Sequence, residues 1–313
     1  MLIKTILISL IVLFVISKSF LGYYYILYHL PKLKFISYKN GKLAYREEGF
    51  GPVLFLLHGM NGSSKSWKHL FKTLSSAFRV VAWDAPSFGS SDCFGNTILD
   101  YKNAAKTLLD KLSIKETLVI GHSMGGIIAA QLAADDDIEI SGLVLSSSHL
   151  GFAMPKGEDL MPRYAERLKY FDNRVAPKSY SLDRAKLSTP KGTRDIIIKF
   201  LANVSQDLRI ESIRDGGRMS QETDNRKICS NINIPVLILS GGQDTVISTE
   251  MHKDLVKAFP KANIVEFPEA GHASYAEFPE LFNQEVKKFA QGVWMINQST
   301  LNNNLNINKR RKK

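Results

Sequence analysis

Cysteine is scarce in this sequence, which has two, Cys93 and Cys229, among 313 residues. They stand far apart and match no metal-ligand spacing, which excludes a disulfide framework and a cysteine-based metal centre. The sequence also lacks internal repeats, and no basic stripe interleaved with aromatic residues follows any part of it. These absences exclude a repeat architecture, and we expect no nucleic acid partner.

The overall composition is that of an ordinary globular protein. Apolar residues make up 44% of the chain and charged residues 23%, which excludes wholesale disorder. The length suits one large α/β domain with an insertion, or two domains. The formal net charge is +11, and part of it comes from the terminal segment 309–313. This basic excess fits a solubilising surface, with attraction to an anionic membrane face as the alternative.

The N-terminus carries a long apolar stretch. Residues 5–17 read TILISLIVLFVIS, and Lys18 separates them from a second apolar and aromatic stretch that ends before Pro31. The first run alone is short for a bilayer span and resembles the core of a signal peptide, whereas residues 5–30 together are long enough to cross. The prediction is a membrane-anchored protein with an uncleaved transmembrane helix within 1–31. The alternatives are a secreted or periplasmic protein after signal cleavage, and a buried helix of the folded domain.

Short apolar runs alternate with helical patterns along the rest of the chain. Two alternating runs first flank Asn40-Gly41, a dipeptide that supplies the positive φ angles of a tight hairpin. Strands that alternate with helices then predict an α/β fold, a mostly parallel central sheet flanked by helices. The predicted strands after the hairpin are 52–57, 78–84, 117–120, 140–146, 235–239 and 263–267, and the predicted helices are 64–76, 97–112, 124–134, 248–259 and 279–291.

Residues 151–230 interrupt this alternation, because they contain helical patterns and no clear buried strand. They are too long for a simple loop. The prediction is a helical cap over 151–230, inserted into an α/β core formed by 32–150 and 231–292. Residues 293–313 are predicted to be a polar basic tail, whose Asn-rich part is unstructured.

A G-x-S-x-G motif lies at 121–125, between a predicted strand and a predicted helix. In that context the turn is so sharp that side chains beside the serine would collide, which accounts for Gly121 and Gly125. The hydroxyl of Ser123 would then stand above the sheet edge, beside a helix N-terminus that favours developing negative charge. Ser123 is therefore the candidate nucleophile, and a chance match in a small-residue turn is the alternative.

The loop after the first buried strand, 58–62, reads HGMNG. Acyl transfer makes an oxyanion that needs two hydrogen-bond donors. The expected donors are the backbone N–H groups of Met60, in this loop, and of Met124, directly after the nucleophile. His58 and Gly59 are expected to support the loop, and His58 to hold it without transferring protons.

A serine hydroxyl needs a base that takes its proton, and the base needs an orienting carboxylate. Asp244 follows the strand 235–239 and His272 follows the strand 263–267, so both lie at the carboxyl edge of the sheet, where ligands bind. The candidate acid is Asp244 and the candidate base is His272, against the alternatives of a capping aspartate and a surface histidine. The acidic run 135–137 falls at the opposite edge and is predicted to be a solvated turn.

Together these residues resemble the α/β-hydrolase superfamily, in its branch of capped serine esterases, lactonases and carbon–carbon hydrolases. The resemblance runs from about 36 to 290. One position departs from the family pattern, because Ser87 stands where the family usually has glycine, at a structural turn that does not put activity in doubt. The resemblance rests on five landmarks in order: H-G-x-x-G at 58–62, Asp84-x-Pro86 before Gly89-x-Ser91-Asp92, G-H-S-M-G-G at 121–126, G-G-Q-D ending at Asp244, and Gly271-His272.

The resemblance implies hydrolysis through an acyl-enzyme, with no cofactor and no metal. Relatives that dehalogenate or open epoxides carry Asp at the nucleophile position, so Ser123 argues against both reactions, while a haloperoxidase-like side activity stays open. Three hypotheses follow. They are hydrolysis of carboxylic esters, hydrolysis of lactones or carbon–carbon bonds with the same triad, and a non-catalytic ligand receptor on this scaffold. The expected partner is a small-molecule ester or lactone.

The predicted cap carries six large apolar or aromatic side chains among many lysines and arginines. If these six side chains line an acyl pocket near a membrane, the substrate is lipid-like. If they form the cap's own core, they do not determine the substrate, and the sequence favours neither reading. The six are Met154, Met161, Tyr164, Tyr170, Phe171 and Tyr180.

Overall fold

The computed structural model describes residues 30–135, 137–171 and 177–310, and for 296–310 the backbone alone. Its strands are β1 (Leu33–Tyr38), β2 (Gly41–Glu48), β3 (Val53–Leu57), β4 (Arg79–Trp83), β5 (Glu116–His122), β6 (Glu139–Ser146), β7 (Val236–Gly241) and β8 (Asn263–Phe267). Its helices are α1 (Lys68–Leu74), α2 (Ile98–Lys111), α3 (Met124–Ala133), α4 (Pro162–Leu168), α5 (Lys178–Leu187), α6 (Asp195–Ser205), α7 (Ile210–Glu222), α8 (Thr249–Ala258), α9 (Ser274–Glu277) and α10 (Pro279–Arg310).

The eight strands form one sheet in the order β1-β2-β4-β3-β5-β6-β7-β8. The pairs β1–β2 and β2–β4 are antiparallel, and all the other neighbouring pairs are parallel. Parallel strands joined by helices bring the carboxyl ends of β3 to β8 to one edge of the sheet. The mostly parallel, helix-flanked sheet that the sequence predicts is therefore confirmed.

Strand β3 shows why a continuous apolar run was expected. All five of its residues are buried. Phe55 and Leu57 belong to the core on one face of the sheet, and Leu54 and Leu56 belong to the core on the other. A strand with helices on both faces needs apolar residues at successive positions rather than alternate ones.

The leading hairpin is present, but its positive φ lies at a different residue from the one predicted. Lys39 has φ 49°, and Gly41 is already the first residue of β2, paired with Tyr38. Gly41 is needed for close approach instead, because a Cβ at this position would lie 2.7 Å from Oδ2 of Asp92. The reversal is therefore made by Lys39 and Asn40, one residue earlier than expected.

The predicted helices are present, with differences at their ends. The first begins with a 3-10 turn, Ser64–Trp67, before α1. Helix α2 begins after Thr97, whose hydroxyl accepts the Asp100 N–H while the Asp100 carboxylate accepts the Thr97 N–H. Helix α10 continues to Arg310, so the backbone of 297–308 is helical and the prediction of an unstructured segment is wrong. A helix whose first turns are packed on a core propagates more easily than one that must nucleate alone.

Between β6 and β7 the chain forms α4 to α7, and α7 reaches back to the loop after β4. The Ser87 hydroxyl donates to Oδ2 of Asp215 at 2.7 Å. The Ser212 hydroxyl donates to the Ser87 carbonyl at 2.6 Å. Arg209 Nη2 donates to the Ser91 carbonyl at 2.6 Å. These bonds fix α7 over the carboxyl edge of the sheet.

The prediction of a membrane-anchored protein with a transmembrane helix is wrong for the part of the chain that the structure describes. No helix in that part is long and apolar enough to cross a bilayer. The longest of them, α10, has charged and amide residues among its apolar ones, which breaks the continuous apolar run that a span requires. Residues 1–29, which carried most of that prediction, lie outside the described residues.

Candidate active site

Ser123 occupies a strained turn between β5 and α3. Its backbone has φ 52° and ψ −119°, a region that non-glycine residues rarely adopt. The flanking glycines allow this turn, since a Cβ at Gly125 would lie 2.1 Å from the Leu57 carbonyl oxygen and one at Gly121 would lie 2.4 Å from the Gly125 carbonyl oxygen. The Ser123 N–H donates to the Ser146 carbonyl at 2.9 Å. The turn thus brings Ser123 to the wall of a cavity at the carboxyl edge.

The loop 58–62 lies directly beside Ser123. A Cβ at Gly59 would lie 3.1 Å from the Cβ of Ser123, so only glycine lets the loop backbone come this close. Among the described residues, the N–H groups of Met60 and Met124 donate to no backbone acceptor. Free N–H groups next to a serine hydroxyl can stabilise an oxyanion that forms there.

His58 connects this loop to the loop after β4. Its Nε2 accepts the Ala85 N–H at 3.0 Å, and its Nδ1 donates to the Gly59 carbonyl at 2.9 Å. Burial lowers the pKa of His58, although the Gly59 carbonyl and the charge of Asp84 oppose that shift. A neutral imidazole with both nitrogens engaged can hold the loop but has no free nitrogen for proton transfer.

His272 and Asp244 form a hydrogen-bonded pair. Nδ1 of His272 lies 2.8 Å from Oδ2 of Asp244. Oδ1 of Asp244 accepts the N–H groups of Val246, at 2.8 Å, and of Ile247, at 3.0 Å. Burial alone would raise the pKa of Asp244, but the imidazole of His272 and these two N–H groups lower it below its ordinary value. The carboxylate therefore stays ionised and holds the imidazole in one orientation.

Ser123 and His272 line the same cavity. No hydrogen bond joins their side chains in the described part of the chain, and such contacts commonly tighten only in the reactive complex. Of the other residues that the sequence nominated, Met60, Met124 and Gly59 also line this cavity. Asp244 and His58 stand behind it, each bonded to the residue or loop it was expected to support.

Glu277 supports the His272 loop, although no sequence motif marks this residue. Its carboxylate accepts the Gly271 N–H at 3.0 Å and the Ala273 N–H at 3.0 Å, on either side of the histidine. Burial raises the pKa of Glu277, and the two N–H groups partly oppose that shift. Two glutamate-bound amides fix the backbone from which the imidazole projects.

His122 lies beside the candidate base without sharing its role. Its ring centroid is 4.7 Å from that of His272 and 4.9 Å from that of Tyr275. Burial, and then the nearby His272, lower the pKa of His122 well below its ordinary value. His122 therefore stays neutral, and its ring packs against the imidazole of His272.

The cavity contains about 810 Å³ of empty space, including its opening to solvent. The sheet contributes the early loop, Ser123 and His272, and the helices between β6 and β7 contribute three arginines that sequence analysis missed, Arg163, Arg167 and Arg184. Burial, and then the charge of Arg163, lower the pKa of His149 to about 3, so this neighbouring imidazole is neutral. The positive charge of this part of the cavity wall therefore comes from the three arginines and not from His149.

Four of the six large side chains of the predicted cap divide between the cavity lining and the packing of the helices themselves. Tyr164 lines the cavity. Phe171 and Tyr180 pack on each other with ring centroids 5.2 Å apart, and Tyr170 is 55% exposed. This distribution matches the helices' own core better than a lipid-binding pocket.

Neither cysteine lines this cavity. Cys93 is exposed and Cys229 is buried, and both are free thiols. Across the described ranges, no group of histidine, cysteine, aspartate and glutamate side chains could hold a metal ion.

A family model described as alpha/beta hydrolase fold matches residues 52–279, which include every element that builds the cavity. The chain belongs to the alpha/beta hydrolase family. The resemblance inferred from the sequence is therefore confirmed. The protein is an enzyme, a serine hydrolase.

Two curated relatives of this alpha/beta hydrolase differ in how much of their length it spans. It is 30% identical over 255 residues to the dihydrolipoyllysine-residue acetyltransferase component of an acetoin cleaving system from Cupriavidus necator, over 79% of this chain and 66% of that protein. It is 26% identical to the pimeloyl-(acyl-carrier protein) methyl ester esterase of Vibrio atlanticus, over 80% of this chain and 98% of that protein.

Solved structures resemble this alpha/beta hydrolase over most of their length. An enol-lactonase from Burkholderia xenovorans matches with a TM-score of 0.73 and 21% identity, over 82% of this chain and all of that one. An esterase from Exiguobacterium antarcticum matches with a TM-score of 0.73 and 18% identity, over 84% of this chain and all of that one. At such identities the likeness establishes the fold.

Proposed function

We propose that this enzyme hydrolyses carboxylic esters of small molecules through an acyl-enzyme on Ser123. The observation that carries the proposal is the 2.8 Å hydrogen bond between Nδ1 of His272 and Oδ2 of Asp244, beside a cavity that Ser123 shares. With its Nδ1 proton held by the carboxylate, the imidazole presents Nε2 as an acceptor. That is the protonation pattern that a general base for a serine hydroxyl requires.

In the first half of the reaction, Oγ of Ser123 attacks the ester carbonyl carbon and its proton passes to Nε2 of His272. The N–H groups of Met60 and Met124 stabilise the oxyanion, and losing one such donor typically costs about 2.7–4 kcal/mol. The intermediate collapses when His272 returns the proton to the leaving alcohol. In the second half, water attacks the acyl-enzyme by the same route, releasing the acid and restoring Ser123.

A relative matched over nearly its whole length supports esters as the substrate class. The Vibrio atlanticus protein named as a methyl ester esterase is covered over 98% of its length. Asp244 supports the same chemistry, because an ionised carboxylate stabilises the imidazolium that forms when His272 takes the proton. The helices between β6 and β7, proposed here as a cap over 151–230, would close the cavity from above.

A fluorophosphonate probe tests the proposal together with p-nitrophenyl butyrate hydrolysis. We expect the wild-type enzyme to be labelled, and Ser123→Ala to lose labelling and to lose on the order of 10⁵–10⁶ in kcat. Ser90→Ala is the matched control, because Ser90 is exposed and lies outside the cavity, and it should keep both signals. Labelling or wild-type turnover of Ser123→Ala would refute the proposal.

A further inference from the structure

Three arginines from two helices face the cavity that holds Ser123. Arg163 and Arg167 are four residues apart on α4 and therefore share one face of that helix. Arg184 projects from α5. All three line the same cavity as Ser123 and His272. A cationic wall thus stands within the space that an ester substrate would occupy.

Two of these guanidinium groups have buried nitrogens without a partner. Arg167 is 8% exposed. Its Nη1 and the Nε of Arg184 are buried and make no hydrogen bond within the described residues. None of the three arginines forms an ion pair in that part of the chain. A buried charge without a counter-ion is costly, which makes such a site receptive to an anion.

Aromatic rings contact two of the three guanidinium groups. The Arg163 guanidinium lies 5.0 Å from the ring centroid of Phe152, and Arg167 lies 5.9 Å from that of Tyr164. Stacking of this kind neutralises no charge and leaves the N–H edges available. Ring contacts therefore position Arg163 and Arg167, while Nη1 of Arg167 and Nε of Arg184 stay without a partner among the described residues.

Acidic side chains nearby do not neutralise the group. Glu166 and Asp183 line a groove on the outer side of the same arginines, and both are exposed. Neither forms an ion pair with them among the described residues. Burial, and then the charge of Arg167, lower the pKa of Arg184 to about 10, so it is still charged at neutral pH.

We propose that the ester substrate carries a second, anionic group, a carboxylate or a phosphate, that binds Arg167 and Arg184. This inference rests on the proposed function, since it identifies the substrate class of the Ser123 site. A planar guanidinium matches the oxygens of either anion with paired N–H donors. Arg167 is buried and lines the cavity of Ser123, so an anion that binds it there lies in the same cavity as the reacting ester, as a second group on a small substrate would.

The first experiment uses the wild-type enzyme. The mono-p-nitrophenyl esters of succinate, glutarate and adipate are compared with neutral p-nitrophenyl hexanoate, and the p-nitrophenyl ester of 4-phosphonobutyrate supplies the phosphate-like arm. We expect kcat/KM for at least one anionic ester to exceed that of the neutral ester by about tenfold or more, in line with charge-assisted hydrogen bonds. The arm with the larger gain identifies the anion. Equal or lower kcat/KM for every anionic ester would overturn the proposal.

The second experiment uses variants that remove the positive charge. Arg167→Met and Arg184→Met should each lower the ratio of anionic to neutral kcat/KM at least tenfold. Lys186 is an exposed cation on α5, the helix of Arg184, and lies outside the cavity. Lys186→Met should therefore keep the wild-type ratio. If both arginine variants, shown by circular dichroism to be folded, retain the wild-type ratio, the proposal is wrong.

Failure of the two proposals can be told apart. If Ser123→Ala still hydrolyses the neutral ester at the wild-type rate, the proposed function fails. If the neutral ester requires Ser123 and the anionic esters gain nothing, only the inference about the arginines fails. Competitive inhibition of the wild-type enzyme by glutarate, but not by the diamide of glutarate, gives a readout that needs no variant.

Discussion

Ser123 combines a reactive position with an unfavourable backbone. A non-glycine residue in such a region costs on the order of 1–3 kcal/mol. The strain persists because the residue is fixed on both sides, by its N–H bond to Ser146 and by the start of α3 at Met124. The glycines beside it are therefore requirements of packing rather than of flexibility.

Replacing Gly125 by alanine tests that interpretation. The new Cβ would lie 2.1 Å from the Leu57 carbonyl oxygen and 2.8 Å from that of His58, and backbone atoms cannot move aside as a flexible side chain can. We expect Gly125→Ala to lower the free energy of unfolding by about 1–3 kcal/mol or more, measured by urea denaturation. Gly292→Ala is the control, because a Cβ there meets nothing within 4 Å. This variant should raise the free energy of unfolding by up to about 1 kcal/mol. Equal effects at both positions would contradict the packing argument.

Replacing Asp244 by asparagine tests the orientation of His272. The amide can still accept the Val246 and Ile247 N–H groups, but it presents an NH₂ to Nδ1 and so favours the wrong imidazole tautomer. We expect kcat for p-nitrophenyl butyrate to fall on the order of 10⁴-fold, with an unchanged circular dichroism spectrum. Asp207→Asn, which breaks a surface pair with Lys65, should leave kcat unchanged. A near-normal kcat for Asp244→Asn would remove Asp244 from the triad.

At this scale the sequence could nominate residues that sit in local motifs. Ser123 stands in a five-residue pattern whose glycines have a steric reason, and His272 follows a glycine at a strand end. Glu277 carries no such signal, because its two amide partners are identified only once the loop folds back on α9. The buried state of Arg167 was equally inaccessible, since it depends on helices packing around it.

At the scale of elements, Ser87 accounts for its own departure from the family pattern. Its φ is 70°, the region where glycine is favoured, which explains the glycine usual at this turn. The serine here instead donates to Asp215 and accepts from Ser212, both on α7. The strained backbone is thus accompanied by one hydrogen bond that glycine could not make, from the Ser87 hydroxyl to Asp215, while the bond from Ser212 goes to the backbone carbonyl.

Two substitutions at Ser87 separate the stabilisation by its hydroxyl hydrogen bond from the cost of its backbone conformation. Ser87→Ala keeps the strained backbone and loses the hydroxyl, so we expect it to destabilise the protein by about 1–2 kcal/mol. Ser87→Gly loses the same bond but relieves the strain, so it should be about 1 kcal/mol more stable than the alanine variant. Thermal and urea unfolding provide the comparison. An alanine variant as stable as the glycine variant would show that φ 70° carries no cost here.

A salt-bridge cluster joins α2 to the end of α3. Asp135 pairs with Lys102 and Lys106, each at 2.9 Å, and its side chain is 11% exposed. The prediction of a solvated turn is therefore wrong for this residue. Burial alone would raise the pKa of Asp135, but the two lysines lower it to about 2. Ion pairing of this kind could not be read from the sequence, because the partners lie about thirty residues away on another helix.

The lowered pKa of Asp135 predicts a pH-dependent stability. A carboxylate with a depressed pKa in the folded state contributes stability above its ordinary pKa near 4, and that contribution disappears as pH falls towards 2. We expect Asp135→Asn to be about 1 kcal/mol less stable at pH 7, with the gap to wild type closing between about pH 4 and pH 2. Urea unfolding at a series of pH values measures the gap. Asp110→Asn, whose side chain is 74% exposed, should show no gap at any pH.

At the scale of the whole molecule, one sheet separates two cores and gathers the site at one edge. Central strands contribute to both cores, which is why their apolar runs are continuous and could be recognised as buried strands. The positive wall of the cavity comes from α4 and α5, whose short sequences carry no strong pattern. The fold class could therefore be predicted from the alternation of strands and helices, and the character of the pocket could not.

The same architecture predicts that shortening an apolar side chain to alanine destabilises the protein more in a central strand than in an edge strand. Leu56 in central β3 is 0% exposed, whereas Ile264 in edge strand β8 is 48% exposed. We expect Leu56→Ala to lower the free energy of unfolding by about 2–5 kcal/mol, because the removed atoms leave a cavity that helices on one face and strands on both sides cannot fill. Ile264→Ala should cost less than about 1 kcal/mol, since its side chain is already half in water. Urea denaturation followed by circular dichroism measures the free energy of unfolding of both variants. Comparable losses in the two variants would contradict the prediction that the central strands contribute most to stability.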